Sequence, residues 1–269
     1  MVKKLFKHEF MAYARIMVFV YGILLAVATG GRLIQFFEND SVVYRIFNVF
    51  SVLTYGFTIY AVLLFLAGFT VVRFYKNLFT YEGYLSFTLP VTTTQQVGVK
   101  LLTTLCFEGI TWGVIFLSGC IYTAGELLVE IFKALGYLVE QCLRFAPFQT
   151  VMITFEVVLL SFFATALGIL TYYLCISIGQ LFKKMRILAS VGAYFALSVT
   201  VEFLYITFNI LFSVFAATPA FLNVITFIAH HPFLSIHIGL WVGIVLVGAL
   251  AAVCFVVIRH IITRKLNLE

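Results

Sequence analysis

Six apolar stretches, each long enough to cross a bilayer, dictate what this chain can fold into. A helix needs about 20 apolar residues to span the hydrocarbon core. Such windows lie near Ile16–Phe37, Asn48–Val72, Gly98–Ala124, Phe148–Ile178, Ile187–Phe215 and Phe233–Ile258. Composition leaves no water-soluble alternative: the chain is 63% hydrophobic and 10% charged, whereas a soluble domain has roughly 45–50% and 25%. The expected fold class is all-α, a polytopic membrane protein with six transmembrane helices. No linker, low-complexity run or strong internal repeat interrupts it, so residues 1–269 read as a single transmembrane domain.

The basic residues orient the spans, because Lys and Arg collect on the cytoplasmic side. With the N-terminus inside, the cytoplasmic segments hold Lys3, Lys4, Lys7, Arg15, Arg73, Lys76, Lys100, Lys183, Lys184, Arg186, Arg259, Arg264 and Lys265. The outer segments hold only Arg32, Arg45, Lys133 and Arg144. Both termini are therefore expected in the cytoplasm. The net charge of +6 follows this bias and is not a nucleic-acid signal.

Residues 1–15 read as an interfacial helix. Val2, Leu5, Phe6, Phe10 and Tyr13 share a face opposite Lys3, Lys4 and Lys7, as suits a segment in the headgroup region. Basic residues, an apolar run and Ala26-Val27-Ala28 also imitate a secretory signal. The apolar run continues past that site, which favours an uncleaved first span.

Residues 73–96 must lie in water between two apolar spans, yet they are rich in aromatic and aliphatic side chains. Phe74, Leu78, Tyr81 and Leu85 follow at spacings of four, three and four, one face of a short helix. Pro90 ends that pattern, and Thr92-x-x-Gln95 and Thr93-x-x-Gln96 are both capping-box starts for the next helix. A partner protein is the expected cover for the apolar face. The basic connection Gln180–Arg186 reads as positive-inside anchoring, with anionic headgroups or a cytosolic partner as alternatives.

Two outer connections exceed a simple turn. Residues 125–147 carry Leu127, Leu128, Ile131, Leu135, Leu138, Val139 and Cys142 at helical spacing, an amphipathic helix on the outer leaflet or against a partner subunit. Residues 216–237 are too apolar for a loop and are broken by Pro219 and Pro232, which suggests a re-entrant or broken helical element. Cys106, Cys120, Cys142, Cys175 and Cys254 have no metal-ligand spacing. A Cys120–Cys142 disulfide on the outer side is open to the chain, though neither position demands it.

No phosphate loop, HExxH or GxSxG motif occurs, so the chain is not expected to be an enzyme or to hold a catalytic residue, metal or nucleotide cofactor. His230, His231 and His237 lack helical ligand spacing, and structural or interfacial roles outweigh a metal site. Glu108, Glu156 and Glu202 fall inside apolar windows, where an ionisable group is costly and faces a bundle interior or a wet cavity. They read either as a substrate or proton pathway, or as protonated groups bonding a neighbouring helix.

The layout and the segment RFYKNLFTYEGYLSFTLPVTTTQQVGVKLL, with its EGY-x-x-FTLPV core, resemble the small permeases of Firmicutes in ABC-type exporters of ABCG-like (type V) architecture. The resemblance covers the whole chain in layout and about 30 residues as motif. It implies that the N-terminal helix is a connecting helix and that the loop after the second span is a coupling helix docked on an ATPase. Carried over by position, Asn77, Leu78, Tyr81, Glu82, Gly83, Tyr84 and Leu85 would contact that ATPase, with Phe74 completing the apolar face. It further implies a multi-pass subunit of the bacterial plasma membrane, paired with a second permease copy or paralogue. ATP and Mg would sit on separate ABC ATPase subunits, and the substrate would be an amphipathic peptide antibiotic, drug or lipid. Two other readings stay open: an ion-gradient-driven secondary transporter using the three glutamates, and a non-transporting sensor of an antibiotic response.

Overall fold

The computed structural model describes residues 2–37, 41–80, 91–182 and 185–264; side chains at 127, 128, 138, 139, 141–145 and 264 lie outside that description. Eight helices follow in order among the described residues: α1 (Val2–Phe36), α2 (Val42–Phe79), α3 (Thr93–Tyr122), α4 (Glu126–Phe145), α5 (Pro147–Gly179), α6 (Arg186–Ala216), α7 (Pro219–His230) and α8 (Pro232–Arg264). Six of them, α1, α2, α3, α5, α6 and α8, are long and apolar enough to cross a membrane, and each contains one of the windows read from the sequence or all but its last residues. At 12 residues α7 is about 18 Å long, short of the roughly 30 Å of hydrocarbon.

The helix boundaries follow local chemistry. Ser41 caps α2 by accepting the Tyr44 N–H. Thr92 opens α3 with a complete capping box: Gln95 N–H donates to Thr92 Oγ1, and Thr92 N–H donates to Gln95 Oε1. Of the two candidate boxes, the Thr92 one therefore forms. Pro219 and Pro232 each stand at the first position of a helix, where the missing N–H costs nothing.

Two expectations are corrected. The interfacial helix over 1–15 is not a separate element: α1 runs unbroken from Val2 to Phe36. No Pro or Gly interrupts its first five turns. Its buried stripe of Glu9, Tyr13, Met17, Tyr21, Leu24, Ala28 and Gly31 also continues without a shift of phase. Nor does a new helix begin at Arg73, because α2 carries on through Phe79.

Helix packing divides the chain into two compact units, Met1–Cys142 and Leu143–Glu269, with the boundary inside α4. In the first unit α1 packs on both α2 and α3 around Tyr13, Met17, Tyr21, Leu24, Val62, Leu66 and Phe107. Hydroxyl pairs run along this core: Tyr13 with Thr104 (3.2 Å), Tyr21 with Thr111 (2.7 Å), Tyr55 with Ser118 (2.9 Å) and Ser51 with Tyr122 (3.2 Å). Thr104, Thr111 and Ser118 donate their own hydroxyl protons to carbonyls one turn back, at Lys100, Phe107 and Ile115. The tyrosines therefore donate across the helix interface, which leaves no hydroxyl of these three pairs idle in an apolar surrounding.

In the second unit α5 packs chiefly on α8 and then on α6. Gly243 and Gly248 lie opposite Leu160 and Phe163, letting α8 approach α5 closely. Gly179 ends α5 against the first turn of α6: a Cβ there would overlap Ser190 Oγ and lie 2.7 Å from the Ser190 nitrogen and 2.8 Å from the Arg186 carbonyl oxygen. The short connection between them closes with Met185 in the left-handed region at φ 59°. Phe221 of α7 meets Phe212 and Phe215 of α6 edge-on.

In the first unit Gly31 is the tightest approach, since a Cβ would overlap the Tyr122 ring and sit 2.8 Å from Ser51 Oγ. Gly30 next to it has nothing within 4 Å. Gly31→Ala should lower stability by about 1–3 kcal/mol, whereas Gly30→Ala should be neutral or raise it by up to about 1 kcal/mol. Melting midpoints of the detergent-solubilised proteins check both.

Candidate functional site

Glu9 lies on the buried stripe of α1, one turn before Tyr13, with 7% of its side chain exposed. It is the hub of a charge cluster built from three helices. Arg73 and Asn77, four residues apart on the last turns of α2, share a face; Lys100 sits in the second turn of α3, at a position fixed by the Thr92 cap. Arg73 donates from Nε and Nη2 to Glu9 Oε2, both at 2.8 Å. Lys100 Nζ and Asn77 Nδ2 donate to Oε1 at 2.7 and 2.9 Å. The Arg73 guanidinium also lies over the Tyr13 ring, 5.5 Å from its centroid.

Every carboxylate lone pair direction is thus used, and the pairs are shielded: Lys100 and Arg73 side chains are 10% and 18% exposed. Attraction between charges is strong in such a setting, and the cost of removing one partner is correspondingly large. Mechanically the cluster ties the end of α2 and the start of α3 to α1, and these two helix ends flank residues 81–90.

The expected ATPase-contact residues separate into three groups. Phe74 and Leu78 are each 1% exposed and pack inside this chain, so their side chains offer no surface to a partner. The helical spacing that marked them is real, but the face is buried, next to the turns that carry the Glu9 partners Arg73 and Asn77. Asn77 is engaged with Glu9. Tyr81, Glu82, Gly83, Tyr84 and Leu85 lie outside the described residues.

The three intramembrane glutamates are not brought together by any hydrogen bond or ion pair among the described residues. Glu156 on α5 is 4% exposed, and both its oxygens lie 2.9 Å from His237 Nδ1 on α8. An ionised carboxylate only accepts, so in that state Nδ1 is the donor to it. Glu108 is half-buried on α3, and Glu202 is exposed on α6. The histidines do not form a cluster: His230 Nδ1 lies 2.7 Å from the Thr226 carbonyl oxygen and His231 rests on Phe227, apart from the Glu156–His237 pair. No group of three potential metal ligands occurs among the described residues. Cys120 is a free, buried thiol, and the Cys142 side chain falls outside the description.

Sequence reading missed Glu9. Its signal was present: an acid at Glu9 interleaves at three- and four-residue steps with Leu5, Phe6 and Tyr13 on the apolar face. An apolar hollow of about 400 Å³ between α2 and α3 was also missed; Tyr55, Ile59, Trp112, Phe116 and Tyr122 line it. Comparison with known protein families, characterised proteins and solved structures returns no match, so the sites are read from their own geometry.

Removing Glu9 leaves two cations buried without their anion. Glu9→Ala should cost about 3–5 kcal/mol and lower the melting midpoint sharply, whereas Glu126→Ala, at an exposed acid of α4, should leave it unchanged. Equal melting of the two variants would remove the cluster as a structural hub.

Proposed function

We propose that this chain is the membrane-spanning permease subunit of an ATP-driven ABC transporter, exporting an amphipathic compound or extracting it from the membrane. In this reading it resides in the bacterial plasma membrane with both termini in the cytoplasm. A second permease copy or paralogue completes the pathway, and separate ATPase subunits bind and hydrolyse ATP. The supporting observation is the Glu9 cluster beside residues 81–90. These residues join two helix ends that Glu9 locks to a third helix. A push on that segment would reach α1, α2 and α3 together, which is how rigid-body coupling would deliver ATPase closure to the spans. Coupling contact then falls to Tyr81, Glu82, Gly83, Tyr84 and Leu85, with Phe74, Asn77 and Leu78 supporting the helix beneath.

The bare surface of α6 supports pairing with a second permease. Every residue from 199 to 215 is exposed, Glu202 among them. A carboxylate turned to lipid at mid-span costs a few kcal/mol, so a protein surface or a wet pathway is the consistent neighbour. The hollow beside Trp112 would suit an apolar part of the substrate.

The buried Glu156–His237 pair favours one competing reading, transport driven by an ion gradient, since a paired acid and imidazole in a spanning bundle can exchange a proton. The two readings separate in proteoliposomes. Under the ATPase reading, transport requires a co-purifying ATP-binding subunit and ATP, with or without a pH gradient. Tyr81→Asp/Tyr84→Asp should insert and melt normally yet lose the ATPase on purification, because charge would be forced into an apolar contact. Retention of the ATPase with full transport by this variant would overturn the coupling assignment. Transport by the chain alone, driven by a pH gradient and abolished in Glu156→Gln, would establish the competing reading instead.

A further inference from the structure

The outward face of α1 is built like the complement of a lipid. Lys4, Lys7, His8, Met11, Ala12 and Arg15 line a groove of about 420 Å³. Lys4, His8, Met11 and Arg15 recur every three or four residues, so they share one face, and from Lys4 to Arg15 that face runs about 16 Å along the axis. The only acid in α1 is Glu9, which points into the core and is committed to Arg73 and Lys100. Among the described residues Lys4, Lys7 and Arg15 have no acidic partner and His8 makes no hydrogen bond. Three cations and an imidazole therefore stand in a row with no acid beside them among the described residues.

Beyond Arg15 the same face changes character. Phe19 and Ile23, four and eight residues further, are 73% and 61% exposed. They begin the apolar stretch that makes α1 long enough to span a bilayer. Cations therefore come first and a bare apolar track follows, in one continuous strip. A soluble phosphate compound would use the first half and leave the second uncovered. A nucleic acid would likewise gain nothing from Phe19 and Ile23. An anionic phospholipid uses both, with its headgroup phosphate among Lys7, His8 and Arg15 and its acyl chain along Phe19 and Ile23.

We propose that this strip is a binding site for one anionic glycerophospholipid. The proposal needs α1 to span the membrane and does not depend on the ATP-driven reading. It is distinct from general positive-inside attraction, because it localises the preference to the α1 groove rather than to net basic charge. The test uses the full chain in nanodiscs of phosphatidylcholine with a minor fraction of fluorescent phosphatidylglycerol, reading lipid retained at the protein surface. The wild type should prefer phosphatidylglycerol over phosphatidylcholine. Lys7→Gln/Arg15→Gln should lose about 25-fold of that preference, two surface cations each contributing a factor of about five. Lys76→Gln/Arg259→Gln, which removes two exposed cations from the other cytoplasmic-side segments, should keep it. All four side chains are exposed, so folding is preserved, and an unchanged melting midpoint in phosphatidylcholine verifies this. Phe19→Ser/Ile23→Ser should weaken retention without altering the headgroup preference. Equal loss in the two glutamine variants, or no loss in the first, would overturn the proposal. Displacement of the lipid by millimolar inorganic phosphate would also overturn it, in favour of a soluble-phosphate site.

Discussion

One carboxylate organises the first half of this molecule. Glu9 accepts from Arg73, Asn77 and Lys100, four bonds between 2.7 and 2.9 Å that engage three helices at a single point. In a bundle whose other contacts are apolar or small hydroxyl pairs, this is where specificity is greatest. Leucines and phenylalanines tolerate sliding along a neighbouring helix, because one apolar neighbour is much like the next. A hub with fixed donors does not, so Glu9 sets the longitudinal register of α1 against α2 and α3. The tyrosine–threonine pairs at Thr104 and Thr111 then fall into place one and three turns along.

Much of the architecture was legible because lipid is a strict solvent. It enforces long apolar windows, and those windows match the six helices long and apolar enough to cross a membrane, while the two prolines read as breaks in residues 216–237 stand at the starts of α7 and α8. The Thr92 capping box was legible for a similar reason, since its two bonds depend only on local spacing. What sequence could not show is which neighbour an apolar face meets. Phe74 and Leu78 carry the spacing of a docking face and the spacing of a core face alike, and only the tertiary packing shows them buried. The same limit hid the Glu156–His237 pair, whose members are 81 residues apart. Sequence proximity groups the histidine with His230 and His231, and shared apolar surroundings group the glutamate with Glu108 and Glu202.

The second unit is organised differently. α5 and α8 approach closely over Gly243 and Gly248 and bury one acid–imidazole pair, while α6 is held mainly at its start, where Gly179 brings two backbones together. Between Val199 and Phe215 α6 has no buried residue. Although Phe221 of α7 meets its far end, so long an exposed stretch leaves surface for a neighbour outside the chain, and its single carboxylate makes lipid a poor sole neighbour.

The separation of the Glu9 partners along the chain has a consequence for how the protein is made. Lys100 lies 91 residues after Glu9. At a synthesis rate of about 5–20 residues per second, it emerges roughly 5 to 18 seconds later. During that interval α1 carries a carboxylate whose final partners are not yet assembled. Arg73 arrives first and can hold it provisionally; Lys100 completes the set only when α3 starts. The contact of the first two helices is therefore complete only when the third supplies its ammonium group, so the order in which the helices are made is also the order in which this anion is satisfied.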